Sequence, residues 1–436
     1  MAAPPLDGEL PPVPNINPWN GSPPGPAAVE SLDDAWQVAL DVDQRIAASR
    51  WNANSASSTL AAAEAERFPA LKMGGTYYAL SDQPTFSATL PAPLSSSIEM
   101  PFLNSSGVGF QAMVNQPIYT FGRITHGINA ASEGVKANEA DCERTVLDVK
   151  MNVADIYVSV LRVYRLIEVV DSKVVSLESH ARDVGGFFEK GLVPKNDLLA
   201  AQVALANARQ EALQIHNMLQ VANAAYNRAL GRTLDSPVHL AEVQTKEFPN
   251  DINQLTQQAM QLRPELAALS SQSRALREQA ASVRAKKAPQ IGVQGGYAYL
   301  ENDYVDPNGM AVVGVGLQWT PIDSGRISNQ SAALNEKAEA TVRLFRDAQS
   351  MVALEVRQKW LDLQTALHRV EAVRPATAQA DENLRVARDR YQHQVGTNTE
   401  VLDAETLRLQ AYTNFYNSSY EAVLADLRLR RAVGNL

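Results

Sequence analysis

The chain has 436 residues, with 39 basic and 48 acidic side chains for a net charge of −9, and is 45% hydrophobic but only 6% aromatic. This aliphatic composition fits a helix-rich protein packed by Ala and Leu, and the scattered Lys and Arg, with no basic patch interleaved with aromatics, argue against nucleic acid as a partner. The single cysteine, Cys142, excludes a disulfide within the chain; without a run of about 18 apolar residues there is no membrane-spanning helix, which leaves either no membrane contact or contact through β-strands.

Residues 1–30 hold nine prolines between Pro4 and Pro26 and read as an extended N-terminal arm. They lack the basic and apolar regions of a signal peptide. The remainder divides into two tandem repeats, 31–235 and 236–436, each predicted to run helix, two strands, long helix, short helix. Such a period is a duplication of a whole unit. In the first repeat Ser31 is a suitable N-cap with Asp34 in the first turn, and one helix is predicted from there to Arg67-Phe68-Pro69. Its counterpart begins at Arg263-Pro264-Glu265-Leu266, with Pro264 near the first helical position, and runs to Lys287-Ala288-Pro289.

Strands follow each stop, at Leu71–Tyr78 and Ile291–Tyr299. A second strand in each repeat alternates strictly. Val108, Phe110, Ala112 and Val114 are interleaved with Gly107, Gly109, Gln111 and Met113; Val313, Val315, Leu317 and Trp319 with Gly314, Gly316 and Gln318. Period-two alternation suits both a soluble hairpin with one face on a core and a barrel strand between lipid and water. Pro117 and Pro321 are predicted to end these strands, and the matching motifs Pro117-Ile118…Gly122-Arg123 and Pro321-Ile322…Gly325-Arg326 to start helices.

Between Arg123 and Phe187 there is no proline, so about 65 residues at about 1.5 Å each form a helix of roughly 100 Å. Val146, Val149, Val153, Ile156, Val160, Val163, Ile167 and Val170 recur in steps of three and four, the pattern of a coiled-coil seam. The second long helix spans Arg326 to about His393, with Pro375 predicted to kink or break it. Each turns through a tip, around Gly191-Leu192-Val193 and Val395-Gly396-Thr397, into a shorter helix ending at Gly231 or Gly434. The sequence has no nucleophile elbow, phosphate loop or metalloprotease motif, and the six histidines are dispersed. No enzyme activity, cofactor or metal is expected.

These features in this order resemble the TolC family of outer-membrane efflux proteins, across almost the whole chain from Ser31 to Gly434. The most specific pieces are Arg263-Pro264-Glu265-Leu266, the two Pro-Ile…Gly-Arg turns, and Val395-Gly396-Thr397…Glu400-Val401-Leu402-Asp403-Ala404. The resemblance implies a homotrimer in which each chain gives four strands to a twelve-stranded barrel in outer-membrane lipid. Below it, a long α-helical barrel would cross the periplasm. It further implies a passive exit duct for efflux or type I secretion, with a periplasmic adaptor and an inner-membrane transporter as partners. By the same resemblance Glu400 and Asp403 match an acidic ring at the periplasmic aperture, Asp197 the acid of the first tip, and Tyr391 an aromatic residue of closure. The adaptor would dock at Gly191, Leu192, Val193, Val395, Gly396 and Thr397. Asn398 departs from the family pattern, which sometimes has a basic residue there. Two other readings stand beside these: Glu400 and Asp403 as acids favouring a helix N-terminus, and the chain as a soluble coiled-coil scaffold or tube component.

Overall fold

In the computed structural model, residues 29–89, 97–243 and 251–436 are described; the Pro-rich arm lies outside them up to position 28. The first repeat contains α1 (Leu32–Val42), α2 (Gln44–Ala65), β1 (Ala70–Ala79), β2 (Thr85–Thr89), β3 (Ser97–Pro101), β4 (Ser106–Tyr119), α3 (Arg123–Glu189) and α4 (Lys195–Ala229). The second contains α5 (Ile252–Leu262), α6 (Pro264–Ala285), β5 (Gln290–Leu300), β6 (Gly309–Gln318), α7 (Arg326–Gln392) and α8 (Asn398–Val433). The fold is mainly helical and carries the duplication expected from the sequence. Two compact units form, each drawing on both repeats: one takes 50–141 and 265–347, the other the segment before Arg50 with 142–264 and 348–436.

The unit of 50–141 and 265–347 holds an antiparallel sheet of order β1-β4-β5-β6. Its register aligns the alternation from strand to strand. Leu71, Met73 and Tyr77 lie opposite Val114, Ala112 and Val108; Ala112 and Phe110 lie opposite Tyr297 and Tyr299; Val293 and Ile291 lie opposite Val315 and Leu317. One face of the sheet is therefore apolar across all four strands. The other is mixed, with Lys72, Gln111, Asn115, Gln294 and Gln318 among glycines and a few larger residues such as Met113 and Val312. Val313 on the apolar face is 85% exposed, as are most of its large neighbours to lesser degrees. Among the described residues, strands β1 and β6 pair on one side only.

Two features of this unit depart from expectation. β4 does not stop at Pro117 but continues to Tyr119. Its pairing with β1 ends at Asn115 and the ladder to β5 shifts register at Pro117/Tyr119, so the missing N–H falls where no partner strand needs it. A separate hairpin, β2–β3, also lies between β1 and β4. Its short strands, with Pro84 before them and Pro101 at their end, gave no recognisable run.

In the second unit the coiled-coil stripe of α3 is buried as expected. Val149, Val153, Val160, Val163 and Val170 are inside, the first three packed with Leu32, Ala35, Ile46, Tyr226 and Leu230. Tyr157 sits at the centre and donates its hydroxyl to the carbonyls of Glu30 (2.8 Å) and Ala241 (2.7 Å). Arg232 pairs with the Glu30 carboxylate at 2.6 Å. Such ties fasten the chain entering α1 to the segment that links the repeats.

The helix expected from Ser31 is two helices. Asp43 is extended (φ −69°, ψ 121°), ends α1, and accepts from the Arg45 N–H at 2.7 Å to start α2. Arg263 makes the equivalent break before α6, with Pro264 first in the new helix as expected. Helix α5, ahead of it, went unread. α7 runs unbroken through Pro375. Pro375 and Glu371 are both exposed, so water takes the carbonyl that proline leaves unbonded. Gly231 (φ +65°) and Gly434 (φ +88°) terminate α4 and α8 in the left-handed conformation, as expected.

Candidate functional site

The tips of α3–α4 and α7–α8 are built alike. Gly191 donates to Phe188 and Leu192 to Phe187; Gln394 donates to Tyr391 and Val395 to Arg390. Each pair closes a helix end with one left-handed residue, Gly191 (φ +68°) or Gln394 (φ +59°). Gly396 therefore does not provide the turn. It is needed for space, since a Cβ there would lie 2.9 Å from the Arg390 Cβ. Pro194 and Thr397 are the equivalent N-caps, which makes Asp197 and Glu400 equivalent third residues of α4 and α8. Leu192 and Val395 occupy matching positions and both are exposed; Val193 is half-buried.

Thr397 accepts the Glu400 N–H at 3.2 Å, and the Glu400 carboxylate lies 3.9 Å from Arg390. Asp403, one turn on, is exposed. The two acids share one face of α8, and Glu400 also serves the helix start. Tyr391, by contrast, is only 4% exposed. It packs edge-on against His180 (5.1 Å between centroids) and beside Phe187 (5.9 Å), in a cluster with Val184, Leu384 and Val401. Its hydroxyl is buried without a hydrogen-bond partner among the described residues. Burial, and then the Asp197 and Asp183 carboxylates, raise its pKa.

Above the tip lies a ladder of polar ties that the sequence did not reveal. It uses Ser172, Ser176 and His180 of α3, spaced four residues apart and so stacked on one face. At the first rung, Asn398 donates to the Asp197 carbonyl at 3.2 Å and turns its amide oxygen to His180 Nε2 at 2.7 Å. Nε2 must therefore carry a proton. His180 is 4% exposed, and burial lowers its pKa, with the Arg388 charge adding to it and the Asn398 hydrogen bond and Asp183 opposing.

At the second rung, Glu405 is 2% exposed; its Oε1 accepts from Arg388 at 2.8 Å and from the Ser176 hydroxyl, while Oε2 has no partner. Burial raises the Glu405 pKa against the lowering effect of Arg388, Arg408 and Lys173. At the third, Arg408 joins Asp381 (2.6 Å) to Ser172 (3.1 Å), and Tyr412 donates to Asp381 at 2.6 Å. The ladder binds α7 and α8 to α3. The only advance sign was a hydroxyl or imidazole at every fourth residue of a stripe otherwise rich in Val.

A sequence model of the family described as outer membrane efflux protein matches residues 35–232 and 255–435, most of both repeats. The chain belongs to the outer membrane efflux protein family. A curated relative, outer membrane protein TolC of Vibrio cholerae, is 24% identical over 321 residues, covering 69% of this chain and 71% of that protein. The outer membrane protein VceC of Vibrio cholerae superposes with a TM-score of 0.77 at 18% identity, covering 93% of this chain and 96% of the other. The MtrE outer membrane channel of Neisseria gonorrhoeae gives 0.74 at 15% identity, covering 93% and 89%. As an outer membrane efflux protein, the chain is a channel of the outer membrane that reaches into the periplasm. Among the described residues no helix is long and apolar enough to cross a membrane; the four-stranded sheet has the lengths for it, at 10, 14, 11 and 10 residues.

Proposed function

We propose that three copies of this chain close into a twelve-stranded barrel in the outer membrane, continued by a helical tunnel, and act as the passive exit duct of a tripartite efflux or type I secretion system. The observation that carries this reading is the sheet. It has one apolar face and, among the described residues, two unpaired edges, at β1 and β6. An open edge in hydrocarbon strands a row of N–H and C=O groups, each costing several kcal/mol, so edges must meet copies of themselves. Four strands are also too few to close a barrel alone. A soluble scaffold has no use for such a face, so the duct reading is the stronger. Each repeat, 31–235 and 236–436, is then one copy of the duplicated unit, following the N-terminal arm of 1–30.

Glu400 and Asp403, repeated three times, form an acidic aperture that focuses negative potential and favours cations. Tyr391 and Asp197 act behind it by holding the inner helices to the outer ones rather than by lining the opening. Exposed Leu192 and Val395, set by the turns at Gly191 and Gln394 and flanked by Val193, Gly396 and Thr397, offer paired apolar contacts to a periplasmic adaptor. The driving force comes from an inner-membrane transporter.

The test is single-channel recording of detergent-purified protein in planar bilayers, with its mass measured alongside. Cation-selective steps from a trimer, with selectivity reduced by Glu400→Ala and Asp403→Ala, are expected. A stable monomer, or a folded protein that never conducts, rejects the duct; unchanged selectivity rejects the aperture alone.

A further inference from the structure

The polar face of the sheet carries a second charged feature, opposite in sign to the tip. A cavity of about 740 Å³ is bounded by the lower ends of the strands and the starts of α3 and α7. Lys72, Arg123, Lys286 and Arg326 line it, against one carboxylate, Glu66. That carboxylate is committed to Arg123 at 2.9 Å. The nearby Asp323 spends both oxygens on its own helix start, accepting the N–H of Gly325 (3.1 Å) and of Ile327 (2.8 Å). Among the described residues, the side chains of Lys72, Lys286 and Arg326 make no hydrogen bond or ion pair. Three cations without a direct hydrogen bond or ion pair, of which Arg326 alone feels a nearby carboxylate, that of Asp323, thus converge on one cavity in a chain whose net charge is −9.

The face that Lys72 occupies bears on what can reach the cavity. Lys72 shares its side of the sheet with Asn115, Gln294 and Gln318, and that side is opposite the apolar one. When the apolar face meets lipid, this side meets water. Like charges held together repel, and a multivalent anion relieves that repulsion while gaining several attractions at once. Lysine and arginine also match phosphate and carboxylate oxygens in hydrogen-bond chemistry.

We propose that this cavity is an anion-binding site on the lumenal wall, taking phosphate- or carboxylate-rich solutes. Three copies around the axis form a basic collar that the exit route must pass. The collar rests on the trimeric duct; the site on each chain does not.

The experiment is calorimetric titration of inorganic tripolyphosphate into the full chain in neutral detergent at low salt. Wild type is compared with K72Q/K286Q/R326Q and with the charge-keeping K72R/K286R/R326K. The Gln variant is expected to bind about tenfold or more weakly, since each partly exposed charge contributes modestly and three are removed. The charge-keeping variant is expected to bind like wild type. Circular dichroism and mass check that each variant folds and assembles.

In phosphatidylcholine bilayers the Gln variant should shift the potassium-to-chloride permeability ratio toward potassium. Equal affinity for wild type and the Gln variant overturns the site. So does the result that detergent-solubilised protein ignores tripolyphosphate while the Gln variant loses affinity only for phosphatidylglycerol nanodiscs, because the cations are then headgroup anchors. Binding without conductance keeps the anion site and removes the duct. Conductance with neither binding nor a selectivity change keeps the duct and removes the collar.

Discussion

Arg388→Ala tests the polar ladder at its most buried rung. Glu405 is 2% exposed, and Arg388 pairs with it at 2.8 Å. Removing Arg388 leaves the buried carboxylate with the Ser176 hydroxyl as its direct partner and only the longer-range charges of Arg408 and Lys173. Breaking a buried pair from one side costs about 3–5 kcal/mol. Because Arg388 is itself 34% exposed, the lower end, about 3 kcal/mol, is the appropriate figure. That corresponds to a roughly hundredfold rise in the open population of the α7–α8 tip.

Hydrogen exchange of amides in the first turns of α8 reads this directly, and the open time of single channels should lengthen in parallel. Glu405→Gln is the control. It removes the buried charge but keeps an acceptor for Arg388 and Ser176, so it should cost under about 1 kcal/mol. Equal damage from both variants, or no change in exchange with Arg388→Ala, would refute the idea that an uncompensated charge is what the pair prevents.

Three further predictions follow from other parts of the chain. His180 has a lowered pKa, so the open form takes up protons first. The stability gained by burying His180 neutral is present in full above the ordinary value of 6.5 and is lost as pH falls through the lowered one, while the Nε2–H bond to Asn398 survives protonation. Exchange at the tip should accelerate on acidification, and His180→Gln should flatten that response; Glu405, whose raised pKa works in the opposite sense, is held constant with Glu405→Gln. At the second turn, Gln394→Gly should leave thermal stability unchanged or raise it by up to about 1 kcal/mol. Gly396→Ala should lower it despite an ordinary backbone angle, because its Cβ meets Arg390. On the sheet, Val313→Lys should cost about 2–4 kcal/mol of insertion into lipid vesicles, whereas Gln111→Lys on the other face should insert normally; equal insertion would contradict the assignment of faces.

Patterns carried by one element were legible in the sequence. The Val stripe of α3, the alternation of β4 and β6, and the Gly stops at Gly231 and Gly434 each follow from local periodicity or backbone preference. Misreadings arose where a neighbour decided the outcome. Pro117 is tolerated because β1 has already ended beside it, and Pro375 because water replaces the lost donor. Asp43 breaks a helix that its own residue type only weakly opposes.

The tip residues were harder still. Asp197, Glu400 and Asp403 could be aligned along the chain, but the burial of Tyr391 depends on α3 supplying His180 and Phe187. The ladder of Ser172, Ser176 and His180 has meaning only once three helices are in phase. Gln394 in the left-handed region is visible only by superposing one turn on the other, where glycine occupies the matching place.

The two unpaired edges of the sheet also carry a genetic consequence. If every barrel is closed by three chains, a copy that pairs normally through β1 and β6 but is defective elsewhere enters the same assemblies as the intact one. Made in equal amounts, the two leave only roughly one barrel in eight wholly intact, because each position is filled independently. A lesion that spoils an edge strand instead excludes its own chain and spares the rest. Variants at the tip should therefore be dominant, and variants at Ala70–Ala79 or Gly309–Gln318 recessive.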